Sequence, residues 1–158
     1  VNFMKYKNLL KIIENVDNTK LLELFKGEAY PYEKQENGKQ VEYTFNSKTS
    51  TIRVIFSSKG KDQWDFSFYD VSDEENPNVK STGKGDQFLV MTTVVEITKT
   101  FISEKHPNIL SFAGEDSAHS KLYVMLLKKL RGYLTSLGYH DMSSDTGNGS
   151  MVFVLMKL

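Results

Sequence analysis

Apolar and polar residues alternate with a period of two along three stretches: Val41, Tyr43 and Phe45; Ile52, Val54 and Phe56; Trp64, Phe66 and Phe68. Successive side chains of a strand point to opposite faces, so each stretch predicts a strand with one buried face. Segments of Ser, Lys, Asn, Gly and Asp separate the stretches. Among them Glu36-Asn37-Gly38-Lys39 predicts a type I′ hairpin, because Asn-Gly tolerates its positive φ. Tyr30 and Tyr32 alternate with charges ahead of that turn. Pro31 between them has no N–H to give to a ladder, which assigns this strand to an edge. The expectation is an antiparallel meander of three or four strands.

The period then changes to that of a helix. Residues 5–16 place Leu9, Ile12, Ile13 and Val16 on one face, and a short helical stretch from Leu21 to Phe25 ends at Gly27. From Phe88, apolar residues fall at 88, 91, 94/95, 97/98 and 101/102, a helix of about five turns. Pro107 stops it by removing a ladder donor. The run 108–114 (NILSFAG) reads as a buried strand. Residues 117–137 predict the longest helix, with Leu122, Met125, Leu126, Leu130, Tyr133, Leu134 and Leu137 on its apolar side and Lys121, Lys128, Lys129 and Arg131 on a solvated face. Tyr139–Ser144 and Ser150–Leu158 are the last strand-like segments. The polar connection between Asp70 and Asp86, with Asp73, Glu74 and Glu75, reads as a solvated insertion.

With no internal repeat or composition break, residues 1–158 form one domain: an N-terminal helix and meander in 1–71, and an alternating half in 64–158. The fold class is α+β, a mixed, mainly antiparallel sheet flanked by helices. Where such a sheet changes from antiparallel to parallel, neighbouring strands splay and leave a cleft of the kind that binds ligands.

Composition narrows the chemistry. Hydrophobic residues at 39% and charged residues at 25% describe an ordinary globule. Twenty Lys+Arg balance twenty Asp+Glu. No element carries the basic excess that nucleic acid requires. Cysteine is absent, which excludes disulfides, thiolate catalysis and Cys-based zinc sites and fits a reducing cytoplasm. No apolar run approaches a membrane span, and VNFMKYKNLL lacks a signal-peptide core. The expectation is a soluble intracellular protein with no membrane partner. His106, His119 and His140 have no metal-ligand spacing. Tyr30, Tyr32, Tyr43, Trp64 and Tyr69 are candidates for an aromatic face on the sheet, which without basic charge favours a protein partner over nucleic acid.

The order strand, glycine loop, helix, strand, helix, strand, strand over 64–158 resembles the C-terminal half of the GNAT-type N-acetyltransferases. That family's loop, Gln/Arg-x-x-Gly-x-Gly/Ala, cradles the acetyl-CoA pyrophosphate at a helix N-terminus. Glycines there let backbone N–H groups approach the phosphates. Lys80-Ser81-Thr82-Gly83-Lys84-Gly85 matches the spacing, with lysine in the first place. The resemblance implies that Lys80, Gly83, Lys84 and Gly85 bind acetyl-CoA or coenzyme A. The family's later helix reads Asn-x-x-Ala-x-x-Leu-Tyr, with the tyrosine protonating the leaving thiolate. Leu122-Tyr123 supplies the last pair, so Tyr123 is the implied catalytic residue, although Asp116 and His119 replace the asparagine and the small residue. Asp86 sets a negative charge beside the implied phosphate site.

A second resemblance covers more of the chain. Aromatic-rich N-terminal strands, TGKGDQF before a helix, then ILSFAG, SKLY, LLKKL and LGY are similar to small proteins encoded by tailed bacteriophages. It implies a phage protein in the cytoplasm of the infected bacterial host, and it makes Asp86 part of the pattern. Two functions stay open: a non-catalytic recognition protein that binds a host or phage protein on an acyltransferase-like fold, and a GNAT-type acyl-CoA-dependent N-acyltransferase.

Overall fold

The computed structural model describes residues 28–48, 50–71, 84–114, 117–142, 144–145 and 151–157. The helices expected over 5–16 and 21–25, and the acidic segment Asp73–Glu75, lie outside them. The described chain is α+β. One eight-stranded sheet is built from β1 (Tyr32–Asn37), β2 (Gln40–Asn46), β3 (Thr51–Gly60), β4 (Gln63–Asp70), β5 (Ile109–Gly114), β6 (Tyr139–Asp141), β7 (Ser144–Asp145) and β8 (Met151–Lys157). Two helices, α1 (Lys84–Lys105) and α2 (Ser117–Ser136), follow β4 and β5. The strand order is β1-β2-β3-β4-β5-β8-β6, with β7 also on β8. Every pair is antiparallel except β4 with β5.

The meander follows the alternation that predicts it. Val41, Tyr43, Phe45, Ile52, Val54, Phe56, Phe66 and Phe68 are all buried, on one face of the sheet. The first hairpin differs in its turn. Asn37 pairs with Gln40, so the turn centres on Gly38 and Lys39, and only Gly38 has positive φ (51°). Glycine in the first central position is the II′ pattern, not the I′ pattern expected from Asn-Gly. β1 is an edge strand that begins directly after Pro31, as its missing N–H requires.

α1 begins four residues before the apolar periodicity does, at Lys84. From Val90 to Thr98 every residue but Glu96 is buried. The stripe expected from the sequence is wider because α1 lies between the meander and α2. Phe101 stacks on Phe56 at 3.8 Å with the rings 5° from parallel. On the other side the Tyr133 hydroxyl of α2 donates to the Lys99 carbonyl at 3.2 Å. Buried threonines are satisfied locally: Thr93 donates to the Leu89 carbonyl at 2.6 Å and Thr98 to the Val94 carbonyl at 2.8 Å. The helix closes with His106 at φ 47°, its N–H on the Ile102 carbonyl at 3.0 Å, one residue ahead of Pro107.

Alternate residues of the first strand segment lock onto α1. The Tyr30 N–H donates to Thr93 Oγ1 at 2.9 Å, the Tyr32 and Thr100 hydroxyls share a hydrogen bond at 3.0 Å, Lys34 meets Glu104 at 2.6 Å, and Lys105 pairs with Glu36. The hydrogen bond to Glu104 raises the Lys34 pKa, and the one from Lys105 lowers that of Glu36. These exposed pairs contribute little energy each. Their charges, with Glu33, discourage a further strand from adding to this edge.

Two tyrosines carry measurable consequences. The Tyr43 ring meets Tyr32 and Phe56 edge to face, and its hydroxyl is fully buried with no hydrogen-bond partner among the described residues. A buried orphan hydroxyl costs about 1–3 kcal/mol, so Tyr43→Phe is expected to raise stability by about 1 kcal/mol, read as a higher urea midpoint at unchanged m-value. The Tyr139 hydroxyl donates to the Pro107 carbonyl, and burial pushes its pKa up to about 12, with Tyr133 adding to the shift. A phenol whose folded pKa lies above its unfolded value near 10 stabilises the fold below pH ~10 and loses that contribution as pH rises toward 12. Chemical denaturation from pH 8 to 11.5 should show stability falling above pH ~10, and Tyr139→Phe should flatten that slope.

Candidate functional site

The parallel pair is the irregular place in the sheet. β4 and β5 share register at only three positions, Gln63–Ile109, Trp64–Leu110 and Asp65–Ser111. β4 then continues to Asp70 and β5 to Gly114 with no further pairing between them, while their outer edges stay laddered to β3 and β8. The two facing edges therefore diverge into a wedge.

Local contacts explain where it opens. The Asp62 carbonyl, in the β3–β4 turn at φ 58°, accepts the N–H groups of Asn108 (2.7 Å) and Ile109 (3.1 Å) and fixes the start of β5 beside the start of β4. On one face Ser111 donates to Asp65, clamping the last shared rung. On the other face Phe66 and Phe112 meet edge to face at 5.5 Å, and Phe66 meets Phe68 at 5.9 Å. These rings fill the wedge from the core side. Past them Asp70 ends β4 at 3% exposure. Strand alternation carries the signal for that carboxylate: Trp64, Phe66, Phe68 and Asp70 share one face.

Connectivity sets which helix ends border the wedge. α1 joins two parallel strands, so it runs back along them, and its first turn lies toward their C-terminal ends. Phe101, near its other end, meets Trp64 at the beginning of β4 at 5.1 Å, as this direction requires. α2 leaves from the C-terminal end of β5, so its first turns start at the same side. In open sheets this is the side on which ligands bind, outside the carboxyl ends of the strands.

The residues singled out in the sequence fall as follows. Lys84 and Gly85 lie in the first turn of α1, where main-chain N–H groups have no partner within the helix. Tyr123 lies in the second turn of α2, and its side chain is outside the described residues. Lys80 and Gly83 are outside them as well. Topology thus brings Lys84, Gly85 and the backbone of Tyr123 to one end of the sheet. A Cβ-free Gly85 fits close approach of an anion to the helix start. Asp86 is next in the same turn, and an acidic residue type at a helix start disfavours a second anion. Sequence reasoning missed the Asp65–Ser111 clamp and the Phe66–Phe112 plug, since pairing 46 residues apart leaves no local pattern.

The aromatic face expected on the meander does not form. Tyr43 is 0% exposed, and Tyr30, Tyr32 and Trp64 pack against the core, because all four sit in the buried register. Tyr69 points to the opposite face, where its hydroxyl accepts from Arg53 at 3.4 Å. Among the described residues, no helix is long and apolar enough to cross a membrane.

Among family models, one described as "Family of unknown function (DUF6934)" fits residues 26–138. No curated protein and no solved structure matches the chain.

Proposed function

The chain belongs to the DUF6934 family, whose function is unknown, and from its geometry we propose a GNAT-like acyl-CoA-binding protein, an N-acyltransferase of that type. The observation that carries this reading is the wedge between β4 and β5. It offers facing strand edges to an extended ligand that bears amides, and a helix N-terminus at its open end to a phosphate group. Coenzyme A has that composition: a chain with two amides, and a pyrophosphate. The strand order, with its single parallel contact at β4–β5, supports the same architecture.

In this reading Lys80, Gly83, Lys84 and Gly85 hold the pyrophosphate, and the wedge orients the chain that leads to the thioester. The bound thioester would supply the acyl group: an acceptor amine would form the C–N bond as the C–S bond breaks and would lose its proton to water, while the Tyr123 hydroxyl would supply the proton taken up by the departing sulfur. The Phe66–Phe112 plug keeps water from entering through the core side.

One observation favours a second reading, a non-catalytic protein that recognises a host or phage protein. The sequence sets an acidic residue, Asp86, in the first turn of α1, a residue type that disfavours a pyrophosphate there, and the same facing edges suit a strand of a partner chain. Calorimetric titration with acetyl-CoA and, separately, with free coenzyme A distinguishes the two. Micromolar binding of both is expected; absence of heat up to millimolar ligand would sink the coenzyme reading and leave recognition, to be pursued by capturing partners from infected cells.

A further inference from the structure

A second concavity lies toward the other edge of the sheet, on β8 and β6, with β5 between it and the wedge. It is a cavity of about 280 Å³ between the C-terminal half of α2 and the strands β6 and β8. Its floor is apolar: Leu127, Leu134, Tyr139 and Leu155 line it, and each is under 9% exposed. Its wall turns at Gly138, whose φ of 88° lets the chain leave α2 and enter β6 directly. Tyr139 is held in place by its hydroxyl bond to the Pro107 carbonyl, so the ring is a fixed surface.

The rim is not symmetric in charge. Arg131 lines the mouth, is exposed, and makes no ion pair or hydrogen bond among the described residues. Asp141 also lines it but is engaged in an interaction of its own. The free charge at the mouth is therefore the guanidinium. Leu137 at 37% and Met142 at 54% are the large hydrophobics left exposed among the described residues. They bracket the segment 138–141 that forms the wall.

We propose that this cavity is a binding site for a short aliphatic carboxylate, with the chain on the leucine floor and the carboxylate on Arg131. A guanidinium presents a planar fork that matches a carboxylate with two parallel hydrogen bonds. A volume of about 280 Å³ suits a short aliphatic acid, and octanoate is a probe of that scale. An aliphatic amine of the same length would meet the arginine with like charge. An alcohol would keep the apolar contacts and lose the charged ones.

The test is titration of the full chain with octanoate, octanol and octylamine, followed by backbone amide NMR shifts. Octanoate should shift the Gly138, Tyr139 and His140 amides and bind about tenfold or more tightly than octanol, as a charge-assisted pair implies. Arg131→Gln, at an exposed position, should leave octanol binding unchanged and erase the preference for the acid. Thr135→Trp, at the mouth, should block acid and alcohol alike while the amide spectrum stays dispersed. Equal binding of octanoate and octylamine would overturn the proposal, as would shifts confined to the wedge or no saturable shift at all. The outcome is read separately from coenzyme A binding, since the wedge lies between β4 and β5 and the cavity lies on β6 and β8.

Discussion

Phe101→Ala is expected to destabilise the protein by about 4 kcal/mol and to lower its Tm by roughly 12 °C. Phe101 is 0% exposed, lies face to face with Phe56 and makes a T-shaped contact with Trp64. Truncation removes both aromatic contacts and leaves a void under the middle of the sheet. The void has little way to close, because Phe56 and Trp64 belong to neighbouring strands that pair in register from Ile52–Asp70 to Ser58–Trp64. Phe101→Leu keeps most of the volume and should cost about 1–2 kcal/mol. Urea unfolding of both variants, followed by circular dichroism, checks the pair. A loss below 1 kcal/mol for the alanine would mean that α1 is not seated on the meander through this ring.

Gly85→Asp is the second large effect. It should weaken acetyl-CoA binding by about 100-fold or more, because a carboxylate beside a phosphate opposes it and a side chain blocks close approach. The same change should leave thermal stability equal or slightly higher, since aspartate in a first helical turn suits the dipole and replaces the residue with the largest backbone entropy. That opposition of signs makes the variant informative. A variant that loses binding and stability together would report a damaged helix. One that binds as tightly as the parent would remove Gly85 from the site.

How much of this was legible in the sequence follows the range of the interactions. The meander was readable because Val41–Phe45, Ile52–Phe56 and Trp64–Phe68 each announce a buried face within a few residues. α2 was readable from Met125, Leu126, Leu130 and Leu134, although Leu137 falls in the turn beyond the helix and faces solvent. The start of α1 was not, because Lys84, Gly85 and Asp86 lack the apolar period. The position of the turn at Gly38 is legible to within a residue but its type is not, since the type depends on which residue pairs with Gln40. The wedge depends on pairing between Asp65 and Ser111, which no local pattern encodes. The aromatic face failed for a related reason: alternation says that Tyr43 and Trp64 share a face but not which face the helix covers.

The three-rung contact between β4 and β5 has a consequence for how the chain assembles. β1 to β4 join through short hairpins, so their loops close at small entropic cost and early. The β4–β5 contact must wait for a loop of 46 residues, which includes all of α1. During synthesis the far edge of β4 is therefore the last part of the meander to gain a neighbour, and Asp65 is the rung on which that closure is registered. Amide exchange should reflect this history. The meander should protect as one cooperative block, while the rungs around Ser111 open with the β5–β8 unit and at lower free energy.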